Sequence, residues 1–170
     1  MSLQTRLVLS LAAMLTSAQD LASAQVPLDL RHIIRLTDGT AAGQANRIFH
    51  DRRTIAASGS ESLDLAGGLT DPFGASLTFA RIKLMLLIAA TGNSNNVVMG
   101  GAASNGFATP FGDATDKLVI RPGATLLLAA GEADGSGYAV TTATGDLLAV
   151  ANSGAGSAVT YDIVLIGASA

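Results

Sequence analysis

Along most of this chain apolar positions alternate with polar ones in short runs, and each run stops at Gly, Asn, Asp or Pro. A period of two sends alternate side chains to opposite faces of an extended strand, so the pattern predicts half-buried strands. Its clearest instance is residues 159–166, where Val159, Tyr161, Ile163 and Leu165 share one face and Thr160 and Asp162 the other. Residues 33–36 read as a strand that stops at the turn Thr37-Asp38-Gly39-Thr40, and residues 47–55 as the next strand. Leu63 and Leu65 flank Asp64 in a further run, which Gly67-Gly68 is expected to close. Residues 96–99, 118–120, 138–142 and 147–150 are short runs of the same kind. Arg121-Pro122-Gly123-Ala124 predicts a hairpin turn, because Pro presets φ and Gly accepts the left-handed position.

Two segments are not resolved by periodicity. In residues 76–90, Leu77 and Phe79 have one parity and Ile82, Leu84, Leu86 and Ile88 the other. That phase change of one residue predicts a β-bulge near residues 80–83. Ile82, Met85, Leu86 and Ala89 would also form a helical stripe. Near the amino terminus Leu7, Leu11, Met14 and Leu15 fit a helix face, whereas Leu7, Leu9, Leu11 and Ala13 fit a strand face. Arg6, the run LVLSLAAML and Ala22-Ser23-Ala24 have the outline of a secretory signal, but the segment is expected to stay on the chain. Thr16, Ser17, Gln19 and Asp20 interrupt the run short of the ~20 apolar residues of a membrane helix. The expected architecture is all-β: an antiparallel, jelly-roll-like β-sandwich over residues 27–170, preceded by an apolar arm or first strand over residues 1–26. The arm is expected to pack on the body or on a neighbouring subunit.

Composition narrows function mainly by exclusion. With no Cys among 170 residues there is no disulfide, thiol nucleophile or Cys-ligated metal. A net charge of −3 and no Trp do not suit a nucleic-acid binder, and no nucleic-acid or membrane partner is expected. Charge is unevenly placed: Arg31, Arg35, Arg47, Arg52 and Arg53 outweigh Asp38 and Asp51 in residues 30–53. From Pro122 onward Glu132, Asp134, Asp146 and Asp162 stand without a Lys or Arg. Such asymmetry orients docking between copies or on a larger surface, and it also describes ordinary solvated faces.

Candidate chemistry is sparse. The two histidines, His32 and His50, lie in no catalytic or zinc motif, and Asp51 next to His50 would point to the opposite face of a strand. Asp113, Asp116 and Asp134 lack the calcium-loop spacing, and the acid pairs Glu61/Asp64 and Asp113/Asp116 are no more specific than any two carboxylates. Neither GxGxxG nor GxxxxGK[ST] occurs. No catalytic residue, cofactor, metal or small-molecule substrate is expected.

The string LTDGTAAGQANRIFHDRRTIAASGSESLDLAGGLTDPFGASLTFARIK, over residues 36–83, resembles small proteins encoded among the virion structural genes of tailed bacteriophages and prophages. GNSNNVVMGGAASNGFATPFGDATDKLVIRPGATLLLAA, the pair Gly137-Tyr138 and ATGDLLAVANSGAGSAVTYDIVLIGASA are similar to the same family, so the resemblance covers most of the chain. It implies a virion component made in the bacterial host. The reading drawn from it is a capsid decoration or cement protein on the capsid surface, with the major capsid protein and copies of itself, as a dimer or trimer, for partners. Tail-tube, head-fibre and receptor-binding roles are the alternatives. The expected subunit contacts are Leu7, Leu9 and Leu11 of the arm and the basic strip Arg31, Arg35, Arg47, Arg52 and Arg53.

Overall fold

A computed structural model describes residues 2–170, which form thirteen β-strands and no helix. Pairing is antiparallel throughout the named strands. One sheet has the order β10 (Thr125–Ala129), β7 (Arg81–Ala89), β13 (Val159–Ala168), β3 (Arg47–Ile55), and β11 (Tyr138–Ala139) continues the lane of β10 along β7. The second sheet has the order β4 (Ser60–Asp64), β12 (Leu147–Asn152), β8 (Val97–Gly100), β9 (Lys117–Ile120). Between them lies the main core, with Phe49, Met85, Leu87, Ile163 and Leu165 from the first sheet against Leu63, Val97, Met99, Leu148 and Val150 from the second. The small pair β5 (Ala66–Thr70) and β6 (Ser76–Thr78) adds Leu69 and Leu77, and Leu65 and Phe79 flank it in the same core. The molecule is thus an all-β sandwich.

The period-two reading accounts for β13 directly, since Val159, Tyr161, Ile163 and Leu165 are all buried and Thr160 and Asp162 are not. Residues 76–90 are two strands and not a helix. β6 ends at Thr78, Ala80 breaks the run, and β7 carries a register shift opposite Ile166/Gly167 that leaves Lys83 as the extra residue. This bulge falls inside the predicted interval but splits the expected face, sending Ile82 to the main core and Leu84 and Leu86 to the outer side of the sheet. Lys83 donates a hydrogen bond from its ammonium to the carbonyl of Asp134. Burial lowers the pKa of that ammonium, an effect offset in part by the Asp134 carboxylate.

Two expectations are corrected. Gly67-Gly68 does not close a strand: both residues lie inside β5, where the register with β6 shifts between Ala66 and Leu69. Gly67 there has φ of 142°, a conformation that side-chain-bearing residues avoid. Arg121-Pro122-Gly123-Ala124 does form the expected tight turn, with Gly123 at φ of 75° and the Ala124 N–H donating to the Arg121 carbonyl at 2.9 Å. It makes no hairpin, however, because β9 belongs to one sheet and β10 to the other. The turn is a corner at which the chain crosses the sandwich. Turn chemistry is local, whereas the choice of strand partner is not.

Candidate interaction surface

The amino-terminal segment that periodicity left open is extended. β1 (Thr5–Ala18) and β2 (Ser23–Leu36) form a separate two-stranded hairpin with an unbroken register from Thr5 opposite Leu36 to Ala18 opposite Ser23. Each strand has fourteen residues, so at ~3.3 Å per residue the hairpin is about 45 Å long. β2 runs through residue 27, the expected boundary between arm and body.

Directly opposed residues share a face, so the register sorts the side chains. One face carries Leu7 with Ile34, Leu9 with His32, Leu11 with Leu30, Ala13 with Leu28, and Leu15 with Val26. The other carries Arg6 with Arg35, Val8 with Ile33, Ser10 with Arg31, Ala12 with Asp29, and Met14 with Pro27. The arm is therefore amphipathic across its thickness: leucines on one side, most of the charge on the other.

Only the base of the apolar face is covered. Leu3, Leu7, Ile34 and Leu36 pack with Ile48, Leu84, Leu86, Leu127, Val164 and Ile166 on the outer face of the first sheet, a second core distinct from the one between the sheets. Beyond that point the leucines are open: Leu11 is 50% exposed, Leu28 53%, Leu30 51% and Leu15 72%. Together with Leu9 and Val26 they offer on the order of 500 Å² of contiguous apolar surface, at the upper end of what isolated soluble chains expose. Ile88, at the uncovered end of the outer sheet face, is also exposed.

The expected contact residues separate accordingly. Leu7 is half-buried against the body, while Leu9 and Leu11 project from the free part of the arm. Arg31 and Arg35 lie on the arm's opposite, polar face. Arg47 begins β3 and donates to the Asn46 carbonyl. Arg52 stands on the outer sheet face, where Nε and Nη2 grip the Asp162 carboxylate at 2.6 and 2.8 Å. That bond holds the Asp162 pKa below the usual carboxylate range. Arg53 has the opposite parity and bridges Glu61 at 2.7 Å and Asp51 at 2.8 Å. Glu61 in turn accepts the Tyr161 hydroxyl at 2.9 Å. Burial, then the Glu61 carboxylate, drive the Tyr161 pKa upward. The five arginines thus form no single strip, and Arg52 and Arg53 are neutralised by their own chain.

Concave features differ from this surface in kind. A cleft of about 440 Å³ lies between the arm base and the β5–β6 tip, lined in part by Asp38, Asn46, Arg47, Asp71 and Phe73. Its polar groups hold local structure. Asp38 accepts the Leu3 N–H, Asp71 accepts those of Phe73 and Ala75, and Asn46 pairs twice with Ser169. His32 is on the arm, and His50 is on the outer sheet face opposite Val164, with Asp51 turned the other way. Among the described residues no three His, Cys, Asp or Glu side chains converge as a metal site would require.

The signal for the arm is present in the sequence as two alternations, Leu7 to Leu15 and Val26 to Leu36, of which the expectation above used the first and only residues 33–36 of the second. No family model matches this chain, and neither the curated proteins nor the solved structures contain a significant match.

Proposed function

We propose that this chain is a virion structural protein, a decoration or cement protein that stabilises a tailed-phage head by multi-copy contacts with the major capsid protein. The observation that carries the reading is the projecting arm with one bare apolar face. An isolated two-stranded hairpin is marginal in water, and a strip of leucines on it is a liability unless something covers it. A capsid surface would cover the leucines while the polar face, with Arg6, Arg31 and Arg35, stays hydrated. Many copies bound to one lattice add avidity, so each contact need be only moderately strong. The resemblance of residues 36–83 and of the later strings to virion gene products supports the same assignment. It gives the partner a class that the geometry alone does not.

The test is occupancy on purified particles. The arm is shortened by removing residues 10–31 and joining Leu9 to His32 through Asn-Gly, which keeps the packed base and deletes every open leucine except Leu9. The reading expects the intact chain in many copies per head and the shortened chain to be nearly absent. Equal occupancy of the two would reject it. Recovery of the intact chain on isolated tails instead of heads would favour the tail-tube alternative.

A further inference from the structure

The two long edges of the arm are unlike. Two bonds fix which backbone groups face outward. The Gln19 N–H donates to the Ala22 carbonyl at 2.9 Å at the hairpin end, and the Arg35 N–H turns away from β1 to donate to Glu132 Oε1 at 2.6 Å. With the register unbroken between them, the even-numbered residues of β1 and the odd-numbered residues of β2 point their N–H and C=O groups out of the hairpin. Along β2 this edge is guarded. The Arg35 N–H is already taken, Pro27 has no N–H to offer, and Asp29 and Arg31 place charges beside it. Along β1 the same row reads Arg6, Val8, Ser10, Ala12, Met14, Thr16 and Ala18, without a proline and with its single charge at the base of the arm, and β1 pairs with no strand other than β2.

That row is also self-complementary. We infer that β1 is a self-association edge: β1 of a second copy pairs with it antiparallel about a two-fold axis through Ala12, making a four-stranded sheet from two arms. This register uses the whole edge from Arg6 to Ala18 and sets Ala12 opposite its equivalent, Ser10 opposite Met14, and Val8 opposite Thr16. All are outward residues, so they exchange roughly a dozen backbone hydrogen bonds. On the other face Leu9 falls opposite Leu15 and Leu11 opposite Ala13, which joins the two leucine strips into one. The two Arg6 side chains end at opposite extremes of the pairing, roughly 40 Å apart and beyond the Debye length at physiological salt. Four strands with an apolar face meet the condition for a self-supporting sheet that two do not. The pairing stands on the arm's own backbone. Only the use of the doubled apolar face on a capsid rests on the function proposed above.

The chain has no cysteine, so any disulfide in a single-cysteine variant joins two copies. Full-length Ala12→Cys is oxidised without particles and run on a non-reducing gel, beside Gln25→Cys on the guarded edge of β2. Opposed residues in such a pair have Cα atoms ~5.5 Å apart, within disulfide range. The expected result is a covalent dimer for Ala12→Cys and monomer for Gln25→Cys. Sedimentation of the unmodified chain should show a dimer whose dissociation constant rises at least about tenfold in Ala12→Pro, since the Ala12 N–H is not used inside the hairpin. A chain that is monomeric at tens of micromolar and untrapped by Ala12→Cys overturns the pairing, even if it still decorates particles. A dimer that Ala12→Pro leaves intact and Ala12→Cys does not trap also overturns it. A dimer trapped by Ala12→Cys that ignores particles upholds the pairing and defeats the capsid assignment.

Discussion

Replacing Leu11 and Leu28 together by Glu places two carboxylates on the bare face of the arm. Each leucine is about half exposed in the free chain, so covering it removes on the order of 80 Å² of apolar surface from water. At ~25 cal/mol per Å² that is about 2 kcal/mol per side chain, and about 12 kcal/mol gross for the six open leucine and valine positions. Association itself costs ~4–15 kcal/mol, so the net affinity is moderate and sensitive to every position. The double substitution removes about 4 kcal/mol and adds the desolvation of two charges, which weakens particle binding by at least about a thousandfold. The free chain should not notice: surface substitutions shift stability by about 0.5 kcal/mol or less, and the melting temperature by about 2 °C or less. The assay is a titration of the variant onto particles lacking the chain, with bound protein counted after sedimentation. Ser23→Glu with Gln25→Glu, on the opposite face of the same arm, is the charge-matched comparison. Equal binding by wild type and the leucine variant, or equal loss in both variants, would refute the reasoning.

Three further outcomes are expected. Tyr161→Phe keeps the buried ring but removes the hydroxyl bond to Glu61, and should lower unfolding free energy by about 1.5 kcal/mol in denaturant titration, leaving particle binding unchanged. Gly167→Ala should destabilise by about 3 kcal/mol or prevent soluble expression, because a Cβ there would sit 2.1 Å from the Arg81 carbonyl oxygen and 2.8 Å from the Phe79 ring. Asp162 is held below its ordinary pKa by Arg52, and Asp134 by the Gly137 and Ser136 N–H groups. The stability these carboxylates add is therefore complete above the unfolded value near ~3.9 and is lost as pH falls through the lower folded values, so Asp162→Asn should flatten the acid limb of a pH–stability curve.

What the sequence made legible was local. β13 announces itself because one face is buried along its length. The parity change between Phe79 and Ile82, by contrast, marks a break between two strands, and the bulge at Lys83 separates Ile82 from Leu84, which share a parity in the sequence. The turn at residues 121–124 is equally readable, yet its chemistry carries no information on which strands pair, and β9 and β10 part to different sheets. The arm was half visible. Leu7, Leu9, Leu11 and Ala13 do share a strand face, but the turn after Ala18 contains Asp20 and Leu21, neither at positive φ and neither a glycine, so nothing marked a hairpin. The five arginines do not share one surface for a simpler reason. Nearness in sequence says nothing about which face an arginine takes, and parity sends Arg52 and Arg53 to opposite sides of one strand.

Hydrogen exchange on the arm, compared between the free chain and assembled particles, bears most directly on the claim that residues 5–36 are the gripping element. Backbone amides in the free half of the hairpin should slow markedly on assembly while those of β7 and β13 keep the protection they already have. Identical exchange across the arm in both states, with any new protection confined to the sandwich, would contradict it.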